Sequence, residues 1–295
     1  MSGGIGGDFG GTFPYEPRYV DVNGTRLHYV DAGPCDASPI LMLHGNPTWS
    51  YMYRTPIARL SERGHRCIAY DHMGFGRSGK PPEPRRYVLA NHIANAIEML
   101  DGLDLRDVTL VLHDWGGPIG LGAATERPAR IKAIVAMNTW AWELPSFLPP
   151  WLRQFRTEGL GEILALANNV PVEAIPGGMY HRDTDATMMD AYRAPFDTYW
   201  SRVGTLGFIR DIPLTEHDLS AAVLGAIHAQ LEAFERPMHL IWGMRDTVFV
   251  PAFIDQWRAL FPEAKTTEIN TAAHYLVEDE PERVAGAIGD FVESL

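Results

Sequence analysis

Val111-Leu112-His113-Asp114-Trp115-Gly116-Gly117 is the stretch from which the rest of this chain can be read. The apolar run that ends there, Asp107 to Leu112, has the character of a strand, and the small residues Pro118 to Ala124 suit a helix packed close against it. Asp114 stands at the corner, where a sharp strand-to-helix turn presents a reactive side chain. A carboxylate with an ordinary pKa of about 3.9 is ionised at neutral pH and needs no base before it attacks. At an acyl carbonyl it would form a labile anhydride, whereas at an sp3 carbon bearing a leaving group it forms an alkyl ester. Asp114 therefore points to displacement at such a carbon or to opening of a strained ring. The plainer alternative is an Asp that caps the helix starting at Trp115.

On the N-terminal side, Arg18 to Val30 predicts two short strands around Asn23-Gly24, a hairpin signal. Pro39 to Leu43 is a continuous apolar run suited to a strand covered on both faces. It leads into the loop His44-Gly45-Asn46-Pro47-Thr48-Trp49, at a strand's carboxyl end, where open α/β sheets bind ligands. A helix over 53–62 and a strand from Arg66 to Tyr70 follow. Gly74, Gly76 and Gly79 then match G-x-G-x-x-G, but Pro81, Pro82 and Pro84 replace the helix a dinucleotide site requires, so the glycines predict a turn. A helix from Leu89 to Gly102 precedes the Asp114 strand, and another buried strand runs from Ile131 to Met137. This alternation predicts a mostly parallel sheet with helices on both faces.

On the C-terminal side the rhythm breaks after Asn138. Residues 139–213 hold short helical pieces, many prolines and the aromatics Trp140, Trp142, Phe147, Trp151, Phe155, Tyr192, Phe196, Tyr199, Trp200 and Phe208, which predicts an inserted helical cap. Most of these aromatics would form the cap's own core, with a few lining an apolar pocket. Alternation resumes with a helix over 216–234, a strand from Met238 to Trp242, a helix over 251–261, a strand from Lys265 to Ile269 and a terminal helix from Pro281. The expected division is a flexible tail at 1–16, a core at 17–138 and 214–295, and a cap at 139–213. Asp246 and His274 fall at carboxyl ends of strands, on the edge that carries Asp114.

The net charge of -12 argues against nucleic acid as a partner. Cys35 and Cys67 form neither a disulfide framework nor a metal-ligand spacing, so no metal is expected. The Gly-rich start lacks the basic and apolar regions of a signal peptide, and no apolar run reaches the roughly 18 residues a membrane span requires. A cytoplasmic protein without a membrane partner is the expectation.

Asp114, Asp246 and His274 follow in the order nucleophile, acid, histidine, the chain order of an α/β-hydrolase triad. With His44-Gly45-Asn46-Pro47, Gly74-Phe75-Gly76-Arg77-Ser78, His113-Asp114-Trp115-Gly116-Gly117 and Trp242-Gly243-Met244-Arg245-Asp246, the chain from about Pro17 onward resembles a haloalkane dehalogenase of the α/β-hydrolase superfamily. That resemblance implies an α/β-hydrolase fold and hydrolysis of a small apolar haloalkane to an alcohol, a halide ion and a proton, without cofactor. It implies Asp114 as nucleophile, His274 as general base and Asp246 as triad acid. The side chains of Asn46 and Trp115 would bind the halide, and their backbone N–H groups would form the oxyanion hole. One branch of the family carries a Glu acid where this chain has Asn138; the resemblance is therefore to the branch that combines Asp-His-Asp with Asn and Trp, although Glu143 lies nearby.

Three alternatives share the scaffold. Epoxide hydrolases share the Asp elbow and activate the ring oxygen with cap tyrosines, a role open to Tyr180, Tyr192 or Tyr199, but they typically carry an aromatic residue at the position of Asn46. Fluoroacetate dehalogenases usually carry Arg where this chain has Trp115. A non-catalytic ligand receptor on the same fold would predict an eroded triad, and none of the three residues is eroded.

Overall fold

The computed structural model describes residues 7–143, 149–181 and 184–295. Eight strands form one sheet in the order β1-β2-β4-β3-β5-β6-β7-β8. They are β1 (Arg18–Val22), β2 (Thr25–Ala32), β3 (Pro39–Leu43), β4 (Arg66–Tyr70), β5 (Val108–Asp114), β6 (Ile131–Thr139), β7 (Met238–Gly243) and β8 (Lys265–Ile269). The hairpin around Asn23-Gly24 makes β1 and β2 antiparallel, β2 pairs antiparallel with β4, and the remaining pairs are parallel. Every residue of β3, β5 and β7 is buried, as continuous apolar strands covered on both faces must be.

The covering helices are α1 (Arg54–Glu62), α2 (Leu89–Gly102), α3 (Gly116–Glu126), α6 (Ala221–Leu231), α7 (Pro251–Leu260) and α9 (Pro281–Val292). Between β6 and α6 the described residues contain helices and no strand. Two of them carry argument below, α4 (Ala186–Arg193) and α5 (Val203–Asp211), and a one-turn helix α8 (Leu276–Asp279) follows β8. From β3 the chain steps to β4 on one side and then to β5 on the other. The loops after β3 and β5 thus face each other across the point where the strand order reverses, the position that favours a ligand site.

Two expectations need correction. The tail is folded from residue 7 onward: Phe13 is fully buried, edge-on to Trp49 at 5.3 Å, and the Thr12 hydroxyl lies 3.1 Å from that of Tyr51. A glycine-rich composition gave no hint of this, because the aromatic cradle that receives Phe13 comes from the loop after β3. The helix expected over 216–234 begins only at Ala221, since the Asp218 carboxylate takes the backbone N–H groups of Leu214 and Thr215 and closes a turn instead. Gly74 and Gly76 sit in a loop at positive φ, and the chain beyond Gly79 makes only the 3-10 turn Pro84–Arg86 where a dinucleotide site would need a helix. Phe147 lies outside the described residues.

Candidate active site

Asp114 ends β5 with φ at +51°, a left-handed conformation that Asp tolerates better than most residues because its short side chain bonds locally. The elbow can close only because the residues around it are small. A Cβ on Gly116 would strike the Leu43 carbonyl, and one on Gly45 would strike the Asp114 carboxylate itself. Thr139, at the end of β6, donates its hydroxyl to the Asp114 backbone oxygen at 2.6 Å and fixes the turn from the other side. The Asp114 carboxylate accepts the backbone N–H of Asn46 at 2.7 Å, on Oδ1, and the backbone N–H of Trp115.

His274 faces the other oxygen. Its Nε2 lies 3.9 Å from Asp114 Oδ2, while its Nδ1 lies 2.9 Å from Asp246 Oδ2. A carboxylate accepts only, so Nδ1 carries the proton and Nε2 is left as an acceptor aimed at Asp114. Asp246 in turn takes the Val248 N–H at 2.6 Å and the Asn138 Nδ2 amide at 2.8 Å. Asn138 is locked against Gly243, giving a bond to its carbonyl and receiving one from its N–H. Its amide is the donor that replaces a rival acid at this position. Glu143 is exposed and lies beside Gly225 of α6.

These contacts set the charges. Burial pushes the Asp114 carboxyl up to about 6, against the pull of His274 and the two backbone N–H groups. Burial also raises Asp246, but His274 and the donors around it outweigh that and hold it below the ordinary carboxylate value. Burial disfavours a charge on His274, yet Asp246, and secondarily Asp114, bring its pKa above the ordinary 6.5. Above about pH 6 the site therefore presents an ionised carboxylate with Oδ1 held by the Asn46 N–H and Oδ2 turned toward His274.

The Asp114 carboxylate lines a cavity of about 290 Å³. Asn46 and Trp115 line it beside Asp114, and its walls are apolar, with Trp140, Trp151 and Phe155 among the aromatics that the cap sequence offered. The Asn46 amide donates to the Thr205 carbonyl of α5 at 3.2 Å, which orients the side chain and leaves a second N–H on the same nitrogen. The Trp115 ring is wedged edge-on against Trp140 and Phe208 at 5.1 and 5.0 Å. None of the three tyrosines considered for ring activation reaches the cavity: Tyr180 and Tyr199 are exposed, and the buried Tyr192 hydroxyl meets Glu278. The tyrosine on its wall is Tyr275. Asn138, Thr139, Thr205 and Phe249, whose ring stacks on His274 at 5.7 Å, escaped the sequence reading as parts of the site. No helix of the described residues is long and apolar enough to cross a membrane, and among them no cluster of His, Cys, Asp and Glu is placed to hold a metal ion.

With this geometry in view, comparison with known proteins is direct. Residues 38–281 match the family described as alpha/beta hydrolase fold. A cis-3-alkyl-4-alkyloxetan-2-one decarboxylase of Shewanella oneidensis is 37% identical over 95% of this chain and 89% of its own. Haloalkane dehalogenase 2 of Mycobacterium tuberculosis is 36% identical over 94% of each chain. The crystal structure of haloalkane dehalogenase DbeA from Bradyrhizobium elkani superposes with a TM-score of 0.88 at 30% identity, covering 95% of this chain and 98% of that one. The chain belongs to the α/β-hydrolase fold family, in the group that contains the haloalkane dehalogenases.

Proposed function

We propose that the protein hydrolyses haloalkanes through a covalent alkyl ester on Asp114. The observation that carries this is the Asp114 carboxylate itself, with Oδ1 held by the Asn46 N–H and Oδ2 turned to His274, at a cavity lined by Asn46 and Trp115. Oδ2 attacks the halogen-bearing carbon; the new C–O bond forms as the carbon–halogen bond breaks, and the pair leaves with the halide. The Asn46 amide and Trp115 indole donate to that halide. Each charge-assisted bond contributes about 1.5–3 kcal/mol, so two lower the barrier noticeably. His274 Nε2 then takes a proton from water, whose oxygen adds to the ester carbonyl carbon. Charge develops on Oδ1, already bound by the Asn46 N–H, and collapse releases the alcohol as its oxygen takes the imidazolium proton. Asp246 stabilises the imidazolium formed on the way. The helical segment between β6 and α6 serves as the cap that closes the apolar cavity, for substrates with little polarity beyond the halogen.

The 37% identity to an oxetan-2-one decarboxylase favours a second reading of the same nucleophile. Attack of Oδ2 on the ring carbon bearing oxygen would break that C–O bond and leave a carboxylate. Loss of CO2 would then form the alkene as the Asp114 ester bond breaks and the carboxylate is regenerated. This sequence consumes no water and moves no proton, so it needs no base. Halide and alcohol release from chlorinated, brominated and iodinated alkanes, beside alkene and CO2 from a cis-3,4-dialkyl oxetanone and diol from styrene oxide, separates the readings. Turnover of the oxetanone or the epoxide with none of any haloalkane would overturn the first.

A further inference from the structure

His274 belongs to the connection between β8 and α8, but its backbone is held from the inserted segment. The Gly178 carbonyl accepts the N–H of His274 at 3.0 Å and that of Tyr275 at 3.4 Å. Gly178 approaches so closely that a Cβ there would lie 2.7 Å from the Tyr275 ring. A second tie runs through Asp279, the last residue of α8, which is buried. Its carboxylate accepts three backbone N–H groups, each at 2.9 Å: Ala273, which precedes His274, and Tyr180 and His181 from the inserted segment. Among the described residues no Lys, Arg or His forms an ion pair with it, so these amides are what compensates its buried charge. The adjacent Glu278 makes a separate tie, to Arg54 through both oxygens at 2.6 Å and to the Tyr192 hydroxyl of α4.

We infer that Asp279 is a positioning residue for the base. It bolts the 178–181 strand of chain from the inserted segment onto the His274 loop, so that the imidazole stands at the distance from Asp114 that admits a water and attack on the ester. The inference rests on the proposed two-step hydrolysis for its kinetic consequence, though not for its structural one. Asp114 is carried by the β5 elbow and has no bond to Asp279, so alkylation does not depend on this clamp. Hydrolysis of the ester does, because it requires the imidazole at its place, and a displacement of about 1 Å at a reacting group lowers a rate by about 100-fold.

The test is Asp279→Asn, which keeps the shape but turns one acceptor into a donor facing backbone N–H groups. Single-turnover reaction with 1-bromobutane, quenched and read by intact-protein mass spectrometry, gives ester formation and ester loss separately. Expected is alkylation within about threefold of the parent and ester hydrolysis slowed at least tenfold, with the ester accumulating. A general loosening of the fold would slow both steps together or raise KM alone, and either result overturns the inference, as does an unchanged rate of ester loss in Asp279→Asn. A second arm uses no substrate: the His274 imidazole is titrated by NMR in parent and variant. The clamp predicts that its pKa falls toward 6.5 in Asp279→Asn as the bond to Asp246 loosens, and an unmoved titration in a folded variant overturns it. If the parent forms no ester with 1-bromobutane, the dehalogenase reading fails and this second arm decides the clamp alone.

Discussion

Asp114→Asn should make the protein more stable at pH 8 while abolishing its chemistry. The folded chain holds the Asp114 carboxyl near pKa 6, against an ordinary 3.8, chiefly because burial disfavours the charge. A group that binds its proton more tightly when folded favours folding less once the proton is gone. The penalty is absent below about pH 3.8, grows as pH rises toward 6, and is complete above that. The gap between 3.8 and about 6 corresponds to about 3 kcal/mol at pH 8. Asn is nearly isosteric, accepts the Asn46 N–H through its carbonyl oxygen and tolerates the left-handed backbone at this position, so it removes the charge and little else. A gain of about 3 kcal/mol raises Tm by roughly 5–10 °C in a chain of this size. Thermal unfolding of parent and variant at pH 8 and pH 4, followed by circular dichroism, checks both the sign and the pH dependence. The advantage should shrink to under about 1 kcal/mol at pH 4, where the native carboxyl is mostly protonated. A variant no more stable than the parent at pH 8, or an advantage independent of pH, would refute the account of Asp114 as a strained buried anion.

Further outcomes follow from the same contacts. His274→Phe should leave alkylation possible and stop ester loss, so mass spectrometry after 1-bromobutane should find one butyl group on the peptide containing Asp114; an adduct elsewhere would displace the nucleophile. Asp246→Asn should cut turnover severely because the imidazole loses the partner that fixes its tautomer, while Glu143→Gln, exposed beside α6, should do little. Trp115→Phe and Asn46→Ala should each weaken saturable bromide binding and slow halide release by about 10–100-fold, and unchanged rates in both would remove the halide site. Ester formation should fall as pH drops through about 6, where Asp114 takes up its proton. Ester loss in the parent should also fall as pH drops, with its acid limb at a higher pH than that of ester formation, because His274 takes up its proton above 6.5 and only its neutral form is a base. A single shared acid limb would contradict that separation.

The parts of the site legible in the sequence are those tied to regular elements. Asp114 and Asp246 stand at the ends of apolar runs that mark their strands, His274 comes after the polar edge strand Lys265–Ile269, and a parallel sheet brings all its carboxyl ends to one edge. Glycines at 45 and 116 mark the loops where backbone must pass close to the nucleophile. What stayed hidden depends on encounters between segments far apart in the chain without periodic pattern. Asn138 was legible only as a residue that lacks a charge, and its role as amide donor to Asp246 emerged from the clamp with Gly243, 105 residues away. The Thr205 carbonyl that orients Asn46 comes from the inserted segment, where short helices broken by prolines give no register from which to place a side chain. The glycines around Phe13 carry no pattern, yet Phe9 and Phe13 both pack on Trp49 and Tyr51 and dock the segment.

On the mechanisms proposed above, the two activities share one step at one elbow. Both displacement of a halide and opening of an oxetanone at its sp3 carbon ask for an ionised carboxylate and donors where negative charge departs. The difference comes afterwards. Hydrolysis of a stable ester demands water and a base, whereas a ring-opened ester that still carries a carboxylate can expel CO2 without either. The imidazole proposed as base is closely held: His274 is bonded to Asp246, which is bonded to Asn138 and the Val248 N–H, and its backbone is gripped by Gly178 and, through Ala273, by Asp279. An imidazole held to this degree, with a free nitrogen 3.9 Å from Asp114, is the arrangement that a water-dependent second step requires, and it is why hydrolytic dehalogenation is the reading preferred over decarboxylation.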